Sequence, residues 1–104
     1  NLKNPKCIDR YWMLVHILDQ CRKLDLDHGA RFYTMLLKHL SAYYYPTISG
    51  MDNNVIEAMF VLACDLYDEY HDKKTYKLPY ALKKTEKALQ TRNIELWKLC
   101  SKNQ

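Results

Sequence analysis

DNNVIEAMFVLACDLYDEYHD, residues 52–72, carries apolar side chains at Ile56, Met59, Phe60, Ala63, Leu66, Tyr67 and Tyr70. Each of them has another of the set three or four residues away. A strand buried on one face would alternate every second residue, so this spacing is that of one side of an α-helix. Asp52 or Asn53 stands where an N-cap belongs, since a short polar side chain there accepts from the first unpaired backbone N–H groups. The helix is expected to run to about Asp72.

The same spacing extends in both directions. Downstream, residues 73–77 are polar and read as a connector. Leu78-Pro79 then opens a further helix with Leu82, Thr85 and Leu89 turned inward. Leu96, Trp97 and Cys100 continue the apolar stripe after Asn93, either as an extension of that helix or as a short fifth helix capped by Asn93. Upstream, the segment 43–54 holds Pro46, Gly50 and an Asp-Asn-Asn cluster, and reads as the longest loop. Before it, Phe32, Met35, Leu36, Leu40 and Tyr43 form a helical set that Asp27 is placed to cap. The first helix begins at Asn4-Pro5, a cap followed by proline in the first turn. Its apolar residues are Ile8, Trp12, Val15, Leu18 and Cys21, with Tyr11, Leu14 and Ile17 widening the face. Only two or three residues separate the first two helices, which predicts an antiparallel hairpin. The fold class is therefore all-α: a small bundle of four main helices in two antiparallel hairpins, with the C-terminal stripe either lengthening the fourth helix or forming a short fifth.

Composition agrees. Fifteen leucines stand against three valines and five isoleucines, and there are only 2 Gly and 3 Pro. Leucine suits helices, and a β-rich chain needs more turn residues than this. Apolar residues make up 48% and charged residues 27% of the 104 residues, a balance that supports one hydrophobic core and argues against a disordered chain. One domain spanning residues 1–104 is expected, and the opening on Asn1 reads as a piece excised from a longer protein. Cys7, Cys21, Cys64 and Cys100 show no paired spacing, which argues against a zinc site. They read as reduced thiols packed as small hydrophobes. With no signal peptide and no apolar run near 20 residues, an intracellular location in cytoplasm or nucleus is expected, without membrane contact.

Charge is unevenly placed. Residues 1–72 hold seven Lys/Arg and ten Asp/Glu, a net −3, whereas residues 73–104 hold nine and two, a net +7. Lys73, Lys74, Lys77, Lys83, Lys84 and Lys87, with Tyr76, Tyr80 and Arg92 among or after them, make a polyanion-binding segment one candidate; nucleic acid is the alternative partner it implies. A solvated helix face accounts for the same lysines. Asp65, Asp68, Glu69 and Asp72 share one face at the end of the third helix. Negative charge there opposes the helix dipole. Either the following basic segment compensates, through Lys73, Lys74, Lys77 or Lys84, or the carboxylates share a divalent cation.

Arg10 and His16 are separated by five residues, as are Arg22 and His28. This resembles the R-x(4–6)-H motif of HEPN-type nucleases, which are small all-α domains. The resemblance implies RNA-backbone cleavage by the arginine and histidine, and covers those two residues alone. A core or boundary histidine is the plainer reading of His16. No serine sits in a nucleophile elbow, and Gly29 and Gly50 are isolated, so no phosphate loop exists.

Tyr43, Tyr44 and Tyr45 precede Pro46, Thr47 and Ile48. Three consecutive tyrosines cannot all face one core, so Tyr43, Tyr44, Tyr45 and Ile48 are the candidate partner-binding residues. The function expected is a non-catalytic protein–protein interaction domain, a scaffold or adaptor, with no cofactor and no metal. Nucleic-acid binding through the basic third is the alternative, and a HEPN-like RNase the second alternative. Self-association is a further reading, through Leu96, Trp97 and Leu99.

Overall fold

In a computed structural model, which describes residues 6–41, 52–71 and 73–100, the periodic stretches all become helices. They are α1 (Lys6–Lys23), α2 (Gly29–Leu40), α3 (Asn53–Tyr70), α4 (Tyr80–Gln90) and α5 (Ile94–Cys100), with no strand among the described residues. The Cα radius of gyration is 13.2 Å, close to the ~13 Å of a compact chain of about 100 residues. No helix among the described residues is long and apolar enough to cross a membrane.

Local chemistry sets the ends. Asp52 caps α3, its Oδ1 accepting from the Asn54 N–H at 2.7 Å. At the other end the His71 ring sits on the last turn, with Nδ1 3.0 Å from the Tyr67 carbonyl oxygen. The cap of α2 differs from the expectation. The N-cap position is His28, which makes no side-chain cap, while Asp27 lies 3.6 Å from the Arg22 Nε instead. Gly29 explains the shift: its φ of +92° turns the chain into the helix through a region open to glycine. The C-terminal stripe divides into two helices. Thr91 ends α4, Arg92 takes φ +55°, and the Asn93 Oδ1 accepts from the Leu96 N–H at 3.0 Å to start α5.

The core lies among α2, α3, α4 and α5, with Leu36, Leu37, Leu89, Ala88 and Trp97 fully buried. Trp97 is its centre: its ring lies 5.2 Å from that of Phe60, and its Nε1–H donates to the Leu40 carbonyl at 2.9 Å. This corrects the reading of Trp97 as a self-association surface, since the indole is enclosed and its one donor is satisfied. Leu96 is half-buried, and of that trio only Leu99 is substantially exposed. The connector after α3 is not merely polar. Leu78 is buried, and the half-buried Tyr76 ring packs 5.4 Å from Tyr33.

Helix α1 departs most from expectation. Leu14 and Leu18 are buried and Tyr11, Val15 and Cys21 half-buried. Trp12 and Ile17, expected on the inward face, stand 61% and 42% exposed, beside Met13 at 63%. The helix lies at the edge of the body, so one narrow face is covered and the rest of its wide apolar stripe meets water.

Candidate functional site

Two of the acids at the end of α3, Asp68 and Glu69, are met by arginines. Asp68 pairs with Arg92. Glu69 accepts from Arg22 at 2.8 Å, and a second Arg22 nitrogen donates to the Glu69 backbone carbonyl at 3.1 Å. The Arg22 guanidinium also lies 4.2 Å over the Tyr70 ring. The hydrogen bond to Glu69, ahead of the other influences, raises the Arg22 pKa, and that to Asp68 does the same for Arg92. One planar, multiply donating group can tie a carboxylate and a helix-end carbonyl together, which an ammonium does less well. Arg22 thus joins α1, the α1–α2 turn and α3. The lysines expected as partners are not the ones that meet Asp68 and Glu69; Asp72 lies outside the described residues.

The two Arg–His pairs have different surroundings. Arg22 is occupied as above, and the His28 Nε2 lies 3.0 Å from the Asp25 carbonyl oxygen. Asp25, Asp27 and His28 bring their ligand atoms within 4.8 Å of one another, but these groups already serve the turn, Asp27 toward Arg22 and His28 toward Asp25. Arg10 and His16 both lie exposed on α1. Six residues along a helix rotate a side chain to about 120° away, so the helix points them to different sides. Arg10 instead approaches His39 of α2. Burial chiefly, and Arg10 and Lys38 after it, hold the His39 pKa below its ordinary value.

A polar chain with its buried centre at Tyr33 and Tyr67 links α2, α3 and α4. The Tyr33 hydroxyl lies 2.7 Å from that of Tyr67 and 2.5 Å from the Glu86 carboxylate, and Gln90 Nε2 lies 3.0 Å from the Tyr67 hydroxyl. Burial, then the bond to Glu86, pushes the Tyr33 pKa far above its ordinary value, so this hydroxyl keeps its proton. It has one proton to give, and Glu86 can only accept while ionised. The directions follow: Gln90 donates to Tyr67, Tyr67 to Tyr33, and Tyr33 to Glu86. Among the described residues no buried side-chain nitrogen or oxygen lacks a partner. Sequence reading missed this chain because its members lie 34 and 53 positions apart; Glu86 inside a lysine-rich helix was the one local sign. Cys21 and Cys64 carry free thiols, and burial raises the Cys64 pKa, with Arg92 acting in the opposite sense. That thiol is therefore a poor nucleophile.

Two surfaces remain. On α4, Lys83 and Lys87 are exposed, Lys84 is half-buried, and Tyr80 is 76% exposed. Lys73, Lys74 and Lys77 are exposed in the connector before it. On α1, Trp12, Met13 and Ile17 are exposed together, and Leu24 and Leu26 follow in the turn at 66% and 58%. Periodicity had assigned Trp12 and Ile17 to the core, so this apolar surface was not legible beforehand. Tyr43, Tyr44, Tyr45 and Ile48, the expected partner-binding residues, and Asn4-Pro5, the expected cap, lie outside the described residues. Between Ala30 and His39 the outer side of α2 forms an open depression lined by Arg31, Thr34, Met35 and Lys38.

Comparison of the chain with protein-family models, with curated proteins and with solved structures returned no match.

Proposed function

We propose that this chain is a non-catalytic protein-interaction domain whose binding face is the outer side of α1. The observation that carries this reading is the joint exposure of Trp12, Met13 and Ile17. Single exposed apolar residues are ordinary, but three on one helix, followed by Leu24 and Leu26 in the turn, favour a surface that a partner covers. Met13, Ile17, Gln20 and Leu24 follow one another at steps of four, three and four. That is the seam spacing of paired helices, and it supports an amphipathic helix of a partner as the occupant. Asp9, Arg10, His16 and Lys23, all exposed, give the seam a mixed-charge rim of the kind that fixes orientation. The reading takes the helices as two hairpins, α1 with α2 and α3 with α4, with α5 closing the core. The nearness of Arg10, early in α1, to His39, late in α2, supports the antiparallel first hairpin.

The test is a selection of displayed amphipathic helical peptides on the immobilised protein. Binders are then measured against a Met13→Lys/Ile17→Lys variant with unchanged circular dichroism. The reading expects binders with apolar residues in four–three spacing that lose at least about tenfold in affinity, roughly 1.4 kcal/mol. Binders indifferent to both substitutions would place the interaction elsewhere and overturn it. Light scattering on the same pair of proteins would show whether a second copy takes the partner's place.

A further inference from the structure

We infer that the outer face of α4 is a binding site for single-stranded nucleic acid, with Tyr80 stacking on a base while Lys83, Lys84 and Lys87 meet successive phosphates. On an α-helix these four residues fall within about 100° of arc. The opposite side carries the buried Leu82, Thr85 and Leu89. Among the described residues, none of Lys83, Lys84 and Lys87 is in an ion pair. Among the described residues, the acids that could approach have other partners: Asp68 holds Arg92, Glu69 holds Arg22, Glu95 holds Lys98, and Glu86 is turned inward to Tyr33. Like charges at i,i+3 and i,i+4 repel, so an acid at any of the three positions would help the helix stand alone. None is there.

Tyr80 gives the face its selectivity. Its ring is 76% exposed, and the Lys84 ammonium lies 5.1 Å from the ring centroid. An accessible ring among cations fits a strand whose bases are unstacked, because the ring takes a base while the ammoniums take the backbone. A duplex offers no free base face and would leave Tyr80 idle. The face from Tyr80 to Lys87 is about 10 Å long, and its three ammoniums, each on a flexible four-carbon stem, can reach out along the backbone of one strand. Lys77, three residues before Tyr80, extends the positive potential along the chain. Lysines supply point charges without the forked geometry that reads base edges, so binding tolerates any sequence.

The test is fluorescence anisotropy with labelled oligo(dT) and oligo(U) against the protein over a series of KCl concentrations. Binding at low salt should weaken along a log–log slope of about −2, from about 0.7 per phosphate for three contacts. Lys83→Glu/Lys84→Glu/Lys87→Glu should lower affinity at least tenfold. Tyr80→Ala should lower it about tenfold for single strands, and Tyr80→Phe should restore it, since stacking needs the ring and not the hydroxyl. Tyr80, Lys83 and Lys87 are exposed and Lys84 is half-buried, and unchanged circular dichroism and melting establish that the variants fold. A Met13→Gln/Ile17→Gln variant, which alters the α1 face without changing charge, should bind as the parent does, which separates this face from that on α1. No binding to either oligonucleotide at low salt overturns the inference. So does an unaltered affinity in Tyr80→Ala, or equally tight binding of duplex DNA, polyglutamate or phosphatidylserine vesicles, since any of these makes the face a general attractor of negative charge.

Discussion

Tyr33 is the side chain on which most of the interior polarity depends. Its hydroxyl is 2.5 Å from Glu86 and 2.7 Å from Tyr67, and the side chain is almost wholly enclosed. Tyr33→Phe leaves the ring in place but removes the donor to Glu86 and the acceptor for Tyr67. Leaving two inward polar groups unpaired costs about 1–3 kcal/mol, which urea denaturation at neutral pH measures as a lower midpoint. Gly29 makes a separate prediction. A methyl group there would meet nothing within 4 Å, so any effect of Gly29→Ala comes from the backbone at φ +92°. The expected loss is about 1–2 kcal/mol. A loss near zero in the same urea titration would show that the turn adopts another conformation at no cost. Trp97→Ala removes the enclosed indole and its bond to Leu40, and is expected to cost about 3–5 kcal/mol, read as a lower urea midpoint.

At the scale of helices, caps and breaks decide the layout. Asp52 offers one side-chain bond to the start of α3, and Asp52→Ala should cost about 1 kcal/mol. Thermal melting followed by circular dichroism would register it. The helices themselves were legible because three–four spacing of apolar residues persists wherever a face is covered. Residues 56–70 and 82–89 were read with the correct inward sets. The division between α4 and α5 was not legible, because Asn93 signals a cap but Arg92 gives no sign of a left-handed backbone. Its guanidinium finds Asp68 on α3, a partner chosen by packing. The placing of Trp12 and Ile17 failed for a related reason. A stripe wide enough for a central helix is also found on an edge helix with a surface to offer, and periodicity does not count neighbours.

The whole molecule should be most stable over a middle range of pH. Burial holds Tyr11, Tyr33 and Tyr70 above their ordinary values near 10, though Arg22 acts against it at Tyr70. Unfolded tyrosine releases its proton at about pH 10, whereas the folded hydroxyls keep theirs. Above that point the unfolded chain binds fewer protons, so stability is present below it and is lost as pH rises. His39 has the opposite sign. Its folded pKa is lowered, and the unfolded ring takes up a proton near pH 6.5 that the folded one refuses. Stability from this source is present above that value and declines as pH falls. Urea midpoints across pH should therefore form a plateau with two falling limbs. Tyr33→Phe should flatten the alkaline limb and His39→Gln the acid limb; identical limbs in these variants would mean that other groups control them.

Sequence alone determined that the chain is helical, where α3 begins, and that a basic third follows an acidic body. These properties depend on spacing and short-range capping, which act between residues a few positions apart. Tertiary structure alone decided which carboxylates the arginines meet, how Tyr33, Tyr67, Glu86 and Gln90 share their protons, and which side of α1 is covered. Each of those depends on where distant helices pack. The stretch from Asp52 to Tyr70 states its own conformation, but the partners of Asp68 and Glu69 at its end are found 24 and 47 residues away.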